Sequence, residues 1–124
     1  MYLDVFIGAV DVPGFSWGES PADNDYSAVV PRFISHAIPD SYEAFSELKD
    51  RIKKGQYTSK PIDWGTWAAR VSKAQIVEFM QSMYGKDVME ENSEHTDSAR
   101  MTALVVLVKN LDDRQTYALV ARES

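Results

Sequence analysis

Gly14-Phe15-Ser16-Trp17-Gly18 matches the G-x-S-x-G spacing, in which a strained strand-to-helix turn exposes a serine beside a general base and an oxyanion hole. The flanking residues do not supply that context. Pro13-Gly14 separates the motif from the first apolar segment, and Glu19-Ser20-Pro21 follows where the helix would begin. The stretch therefore reads as a glycine-flanked aromatic loop. Asp23-Asn24-Asp25 sets oxygen ligands in alternation, as a calcium loop does, but the sixth and twelfth positions, which require Gly and Glu, hold Ala28 and Ile34. The chain has no cysteine, which excludes disulfides and thiolate metal sites and leaves His36 and His95 as its nitrogen ligands. His95 lies among Glu91, Glu94 and Asp97 with no second ligand or nucleophile spaced for it, and reads as a solvated loop histidine. His36, between Ile34 and Ile38, reads as a partly buried, satisfied one. No Walker pattern, G-x-G-x-x-G or H-E-x-x-H is present, so no catalytic residue, cofactor or metal is assigned.

Charge is the stronger signal. The net charge of −6 is concentrated in two segments. Residues 1 to 31 hold Asp4, Asp11, Glu19, Asp23 and Asp25 with no Lys or Arg, and residues 87 to 98 hold Asp87, Glu90, Glu91, Glu94 and Asp97, again with no base. The body between them is mildly basic. Such a field repels phosphate backbones and attracts cationic surfaces, so direct nucleic-acid binding is disfavoured and a basic protein partner fits. Keeping a small protein in solution is the simpler role of the same charges. Trp17, Trp64 and Trp67 offer large apolar area with one donor each. They suit the wall of a ligand pocket or an interface, and core burial explains Trp64 and Trp67 about as well, whereas Trp17, in a Gly- and Pro-rich acidic loop, is the preferred interface anchor.

These residues need a scaffold, and 124 residues with 44% apolar and 26% charged content suit one domain with its own core. Residues 2 to 10 load both faces of a strand, placing it inside a sheet. Residues 11 to 25 read as loop, and 26 to 38, which mix apolar residues with Pro31, fit an extended segment or short helical turns. Asp40 with Glu43 has capping-box spacing, and Tyr42, Phe45, Leu48 and Ile52 recur at helical spacing, predicting a helix over 41 to 54. A polar connection from Gln56 to Asp63 leads to a strand at 66 to 71. Ser72 with Gln75 repeats the capping-box spacing before Ile76, Phe79, Met80 and Met83, predicting a second helix over 73 to 84. After an acidic loop, the apolar run Ala103 to Val108 predicts a central strand over 101 to 109, forming a C-terminal hairpin with 116 to 122. The expected fold is α+β: a mainly antiparallel sheet of about four strands under two amphipathic helices.

The first segment lacks a basic leader, and no apolar run approaches the roughly 18 to 20 residues a bilayer needs, so a cytoplasmic protein without membrane contact is expected. The leading functional expectation is a non-enzymatic, acidic interaction module of inhibitor, immunity-type or regulatory kind. Its partner-binding residues are then Asp11, Trp17, Glu19, Asp23, Asp25, Glu90, Glu91, Glu94 and Asp97. The alternative is a small enzyme or small-molecule-binding domain whose pocket is walled by the 11 to 38 region, with Ser16, His36 and nearby carboxylates as its chemistry. A third reading covers the apolar face of the C-terminal strand with a second copy of the chain, as a homodimer.

Overall fold

The computed structural model describes residues 2–17, 29–90 and 98–123. Within them lies an α+β fold with β1 (Leu3–Ala9), β2 (Arg32–Phe33), α1 (Ser41–Lys53), β3 (Thr58–Asp63), β4 (Thr66–Ser72), α2 (Lys73–Tyr84), α3 (Ser98–Lys109) and β5 (Thr116–Glu123). The strands form one antiparallel sheet in the order β2-β1-β5-β4-β3. No helix among the described residues is long and apolar enough to cross a membrane.

β1 has the interior position its two-sided pattern predicts. Val5 through Ala9 are all buried, with β2 on one side and β5 on the other. The chain after β2 stays extended beside β1, where the Ile34 and Ile38 amides donate to the carbonyls of Ile7 and Val5 at 2.9 and 2.8 Å. Of the two conformations that the 26 to 38 pattern allows, the described part, from 29 on, takes the extended one.

α2 forms over the predicted residues, and its capping box is complete. Gln75 N donates to Ser72 Oγ at 3.2 Å and Ser72 N donates to Gln75 Oε1 at 2.9 Å, satisfying two backbone donors at the helix start. The matching box expected at α1 does not form. Asp40 sits in the left-handed region at φ 59° with no side-chain cap bond, and its carbonyl instead accepts the first helical bond from Ala44. A cap side chain needs extended backbone to reach the first-turn amides, and Asp40 does not have it.

Two assignments change. Residues 58 to 63, expected as a polar connection, form the edge strand β3, on which Lys60 and Ile62 are buried and Pro61 is tolerated because only one side of the strand is paired. Residues 101 to 109 form most of α3 and not a central strand. Met101, Leu104, Val108 and Leu111 recur at helical spacing and reach the main core, while Val106 is 53% exposed. An unbroken apolar run has no period of its own, so it fits a doubly buried strand and a packed helix alike. The central position goes to β5, which pairs with β1 and β4 and not in a hairpin with 101–109. The sheet thus has five strands and three helices accompany it among the described residues.

The sheet separates two cores. Val5, Ile7, Ala69, Val71, Leu119 and Ala121 face the helices, with Leu48, Ile76, Phe79, Met80, Leu104 and Val108 packed over them. On the other face a smaller cluster of Ile62, Ala68, Ala118 and Val120 is covered by Val10, Phe15, Trp17 and Phe33.

Candidate functional site

Trp17 packs against the smaller core. It meets Phe15 edge-on, with ring centroids 5.0 Å apart at 89°, and its indole Nε1 is buried with no acceptor. Lys60, only 5% exposed, donates from Nζ to the Ser16 carbonyl and lies 5.6 Å from the Phe15 ring, fastening this loop to the sheet. Gly14, at φ +85°, supplies the backbone conformation that the Val12–Phe15 turn requires. β1 ends at Ala9, seven residues before Ser16, so no strand runs directly into Ser16 as the elbow requires.

Asp11 is exposed, but Arg32 Nη2 bonds both its carboxylate oxygens, at 3.1 and 3.3 Å, closing the loop onto β2. Glu90 is exposed in the turns after α2, where its amide donates to the Asp87 carbonyl. Glu19, Asp23, Asp25, Glu91, Glu94 and Asp97 lie outside the described residues, as does His95. Of the predicted partner-binding residues, the structure thus describes Asp11, Trp17 and Glu90.

His36 borders a cavity of about 350 Å³ between the chain after β2 and α3, lined also by Ser35, Pro39, Arg100, Leu104 and Leu107. Ser35 Oγ accepts from the Ile7 amide and donates to the His36 carbonyl, both at 2.8 Å, which ties it to a structural role. Ser16 does not line this cavity. Among the described residues no group of three or more His, Asp or Glu is placed to hold a metal ion.

The titratable groups held most firmly are structural. Arg51, on α1, bonds Glu47 at 2.9 Å, Glu78 at 3.2 Å and the Tyr57 hydroxyl at 3.3 Å. Burial pulls its pKa down, and the bond to Glu47 with the further contacts to Tyr57 and Glu78 more than restores it. Burial raises Tyr57 and, more strongly, Tyr84, whose hydroxyl donates to the Pro39 carbonyl and whose neighbour Asp40 adds to the shift.

Core burial, one of the readings the sequence allows for Trp64, does not hold: Trp64 is 96% exposed in the two-residue turn between β3 and β4. Its amide donates to Asp63 Oδ1 at 2.7 Å. Gly65 follows at φ +78°, its carbonyl accepting from the Glu123 amide at 2.7 Å, and a Cβ there would sit 2.7 Å from the Glu123 carbonyl oxygen. The readable signal was Asp63-Trp64-Gly65 itself, an Asp and a Gly bracketing one residue as turns favour. Comparison with protein-family models, curated proteins and solved structures finds no match to this chain.

Proposed function

We propose that the protein is a non-enzymatic interaction module that docks on a cationic surface of a partner protein, with Trp64 as its anchor. The observation that carries this reading is the near-complete exposure of Trp64 on a turn braced by hydrogen bonds to Asp63 and β5. A large aromatic held out by a rigid turn loses little entropy on binding, and such residues supply a disproportionate share of interface energy. The Asp63 carboxylate accepts from the Trp64 amide and Glu123 adjoins the turn through its own amide, and an indole face attracts Arg and Lys. This assigns to Trp64 the anchoring role that composition alone suggested for Trp17, which is partly buried. The two acidic segments of the sequence supply long-range steering toward a basic partner.

A tryptophan-free oligoarginine peptide tests the reading by titration against the Trp64 indole and Gly65 amide resonances. The expected result is saturable binding that weakens steeply with salt and drops at least about tenfold in Trp64→Ala. Unchanged binding in Trp64→Ala removes the anchor. A Glu90→Gln, Glu91→Gln, Glu94→Gln, Asp97→Asn variant that associates as fast as the wild type removes the steering.

A second reading, a small-molecule pocket walled by the 11 to 38 region, draws support from the cavity at His36. On that reading Arg100 and His36 would contact ligand, and Arg100→Gln weakens its binding.

A further inference from the structure

A second groove, of about 430 Å³, opens between α1 and the sheet. Leu3, Ser59, Trp67 and Glu123, all near strand ends, line it from the sheet, and Phe45, Lys49, Ile52 and Lys53 line it from α1. Phe45 and Trp67 meet edge-on, with centroids 5.5 Å apart at 70°, giving it a rigid aromatic wall.

The charges on α1 single this groove out. The neighbouring cations are satisfied locally, Arg51 by Glu47 and Glu78 and Lys54 by Asp50. Lys49 and Lys53, four residues apart and therefore on one side of the helix, have no acidic partner within ion-pair distance among the described residues. Two like charges at that spacing repel each other, and a negative group between them relieves the repulsion. Lys49 and Lys53 lie in the mildly basic stretch between the two acidic segments, where the local charge suits an anionic ligand. Glu123 stands on the other bank, also without an ion-pair partner among the described residues. It repels an anion from that side and fixes which end of a ligand points toward α1.

We infer that this groove binds a small aromatic carboxylic acid, with its ring against Phe45 and Trp67 and its carboxylate on Lys49 and Lys53. The volume suits a ligand of one or two rings. A monoanion fits better than a dianion, because Glu123 opposes a second negative charge.

The test uses 1-naphthoate, 1-naphthamide and octanoate, titrated against the full chain and followed by amide and indole resonances. Trp67 must be distinguished from Trp64, which does not line the groove. Naphthoate is expected to bind saturably, with a Kd of about 1 mM or tighter, shifting Trp67, Phe45 and Ser59 and leaving Trp64 unmoved. Naphthamide, which keeps the rings and loses the charge, is expected to bind at least about tenfold more weakly. The Lys49→Gln, Lys53→Gln variant changes two exposed side chains, so the fold survives, and it is expected to lose naphthoate binding to the same degree. Trp64→Ala is expected to bind naphthoate as the wild type does. The proposal is overturned by the absence of saturable binding, by naphthamide equalling naphthoate, or by unchanged affinity in the double lysine variant. Octanoate binding as tightly as naphthoate overturns the aromatic assignment.

Discussion

The two faces of the sheet are covered by different means. On the helix face, three helices bury large aliphatic and aromatic side chains on the strands, and the buried Arg51 sits at the margin with its partners. On the opposite face the strands present small residues. Gly8 pairs with Ala118, and Val120 stands between Phe6 and Ala68, so the floor is shallow. A loop with bulky aromatics fits there, pinned by Lys60, and Arg122 covers the strand aromatics. Arg122 lies 5.0 Å from the Phe6 ring and 5.7 Å from Phe33, and those two rings stack 4.3 Å apart. Long cationic side chains can do this because their stems cover apolar surface while the charged heads stay near water. One layer therefore rests on interlocked volume and the other on a few aromatic contacts held by Lys60 and Arg122.

The sharpest way to break that contrast is to truncate one aromatic on each side. Phe79 is fully buried on α2, and Phe79→Ala is expected to cost about 3 to 5 kcal/mol, read from the urea midpoint. Phe33 is half-buried, and Phe33→Ala is expected to cost under about 2 kcal/mol. Equal losses would show that the loop-covered face is no weaker a layer. Next in size is Gly8→Ala. A Cβ there would lie 2.9 Å from Pro31 Cβ and 3.2 Å from Val120 Cγ2, so the extended edge segment must move outward. We expect a loss of about 1 to 3 kcal/mol, with faster hydrogen exchange at the Ile34 amide than at amides of α2. Exchange that accelerates equally everywhere would mean the two layers open together.

The helix face was also the more legible in sequence, for physical reasons that α2 and α3 make plain. α2 carries a period, a cap and a terminal glycine, so three local signals agree on its bounds. α3 carries an apolar run with β-branched Val105 and Val106 and no amphipathic stripe, which is why its residues fit a strand equally well from local pattern alone. Its helical state is visible only once β5 is known to fill the sheet centre. The candidate site was less legible still. Exposure of Trp64 depends on a turn whose bracing comes from Glu123, far away in sequence, whereas Trp17 is drawn into the smaller core by a floor of small residues on three strands. The helix starts give the same lesson at a smaller scale. Ser72→Ala should cost about 1 kcal/mol by removing a formed cap, whereas Asp40→Gly should cost nothing or stabilise slightly, since Asp40 makes no cap and holds a positive φ. A comparable loss at both positions in thermal unfolding would mean that Asp40 caps α1 after all.

An effect confined to alkaline pH concerns how the helix face responds to titration. Burial raises the pKa of Tyr84 well above its usual value near 10, so the folded chain keeps that proton while the unfolded chain gives it up. A raised folded-state pKa means that the stabilisation is fully present below about pH 10 and is lost as pH climbs from there toward the folded value. Above pH 10 the stability of the wild type should fall by up to about 1.4 kcal/mol per pH unit from this one group. Tyr84→Phe removes the proton along with the bond to the Pro39 carbonyl, so it should be somewhat less stable at pH 7 and show a shallower decline between pH 10 and 11. Tyr57, also raised by burial, keeps the variant's slope from vanishing. Urea unfolding at pH 8, 10 and 11 reads the difference. Parallel curves for the two proteins would show that Tyr84 ionises as freely in the fold as out of it, and that the tie between α2 and the chain entering α1 contributes nothing to the alkaline limit.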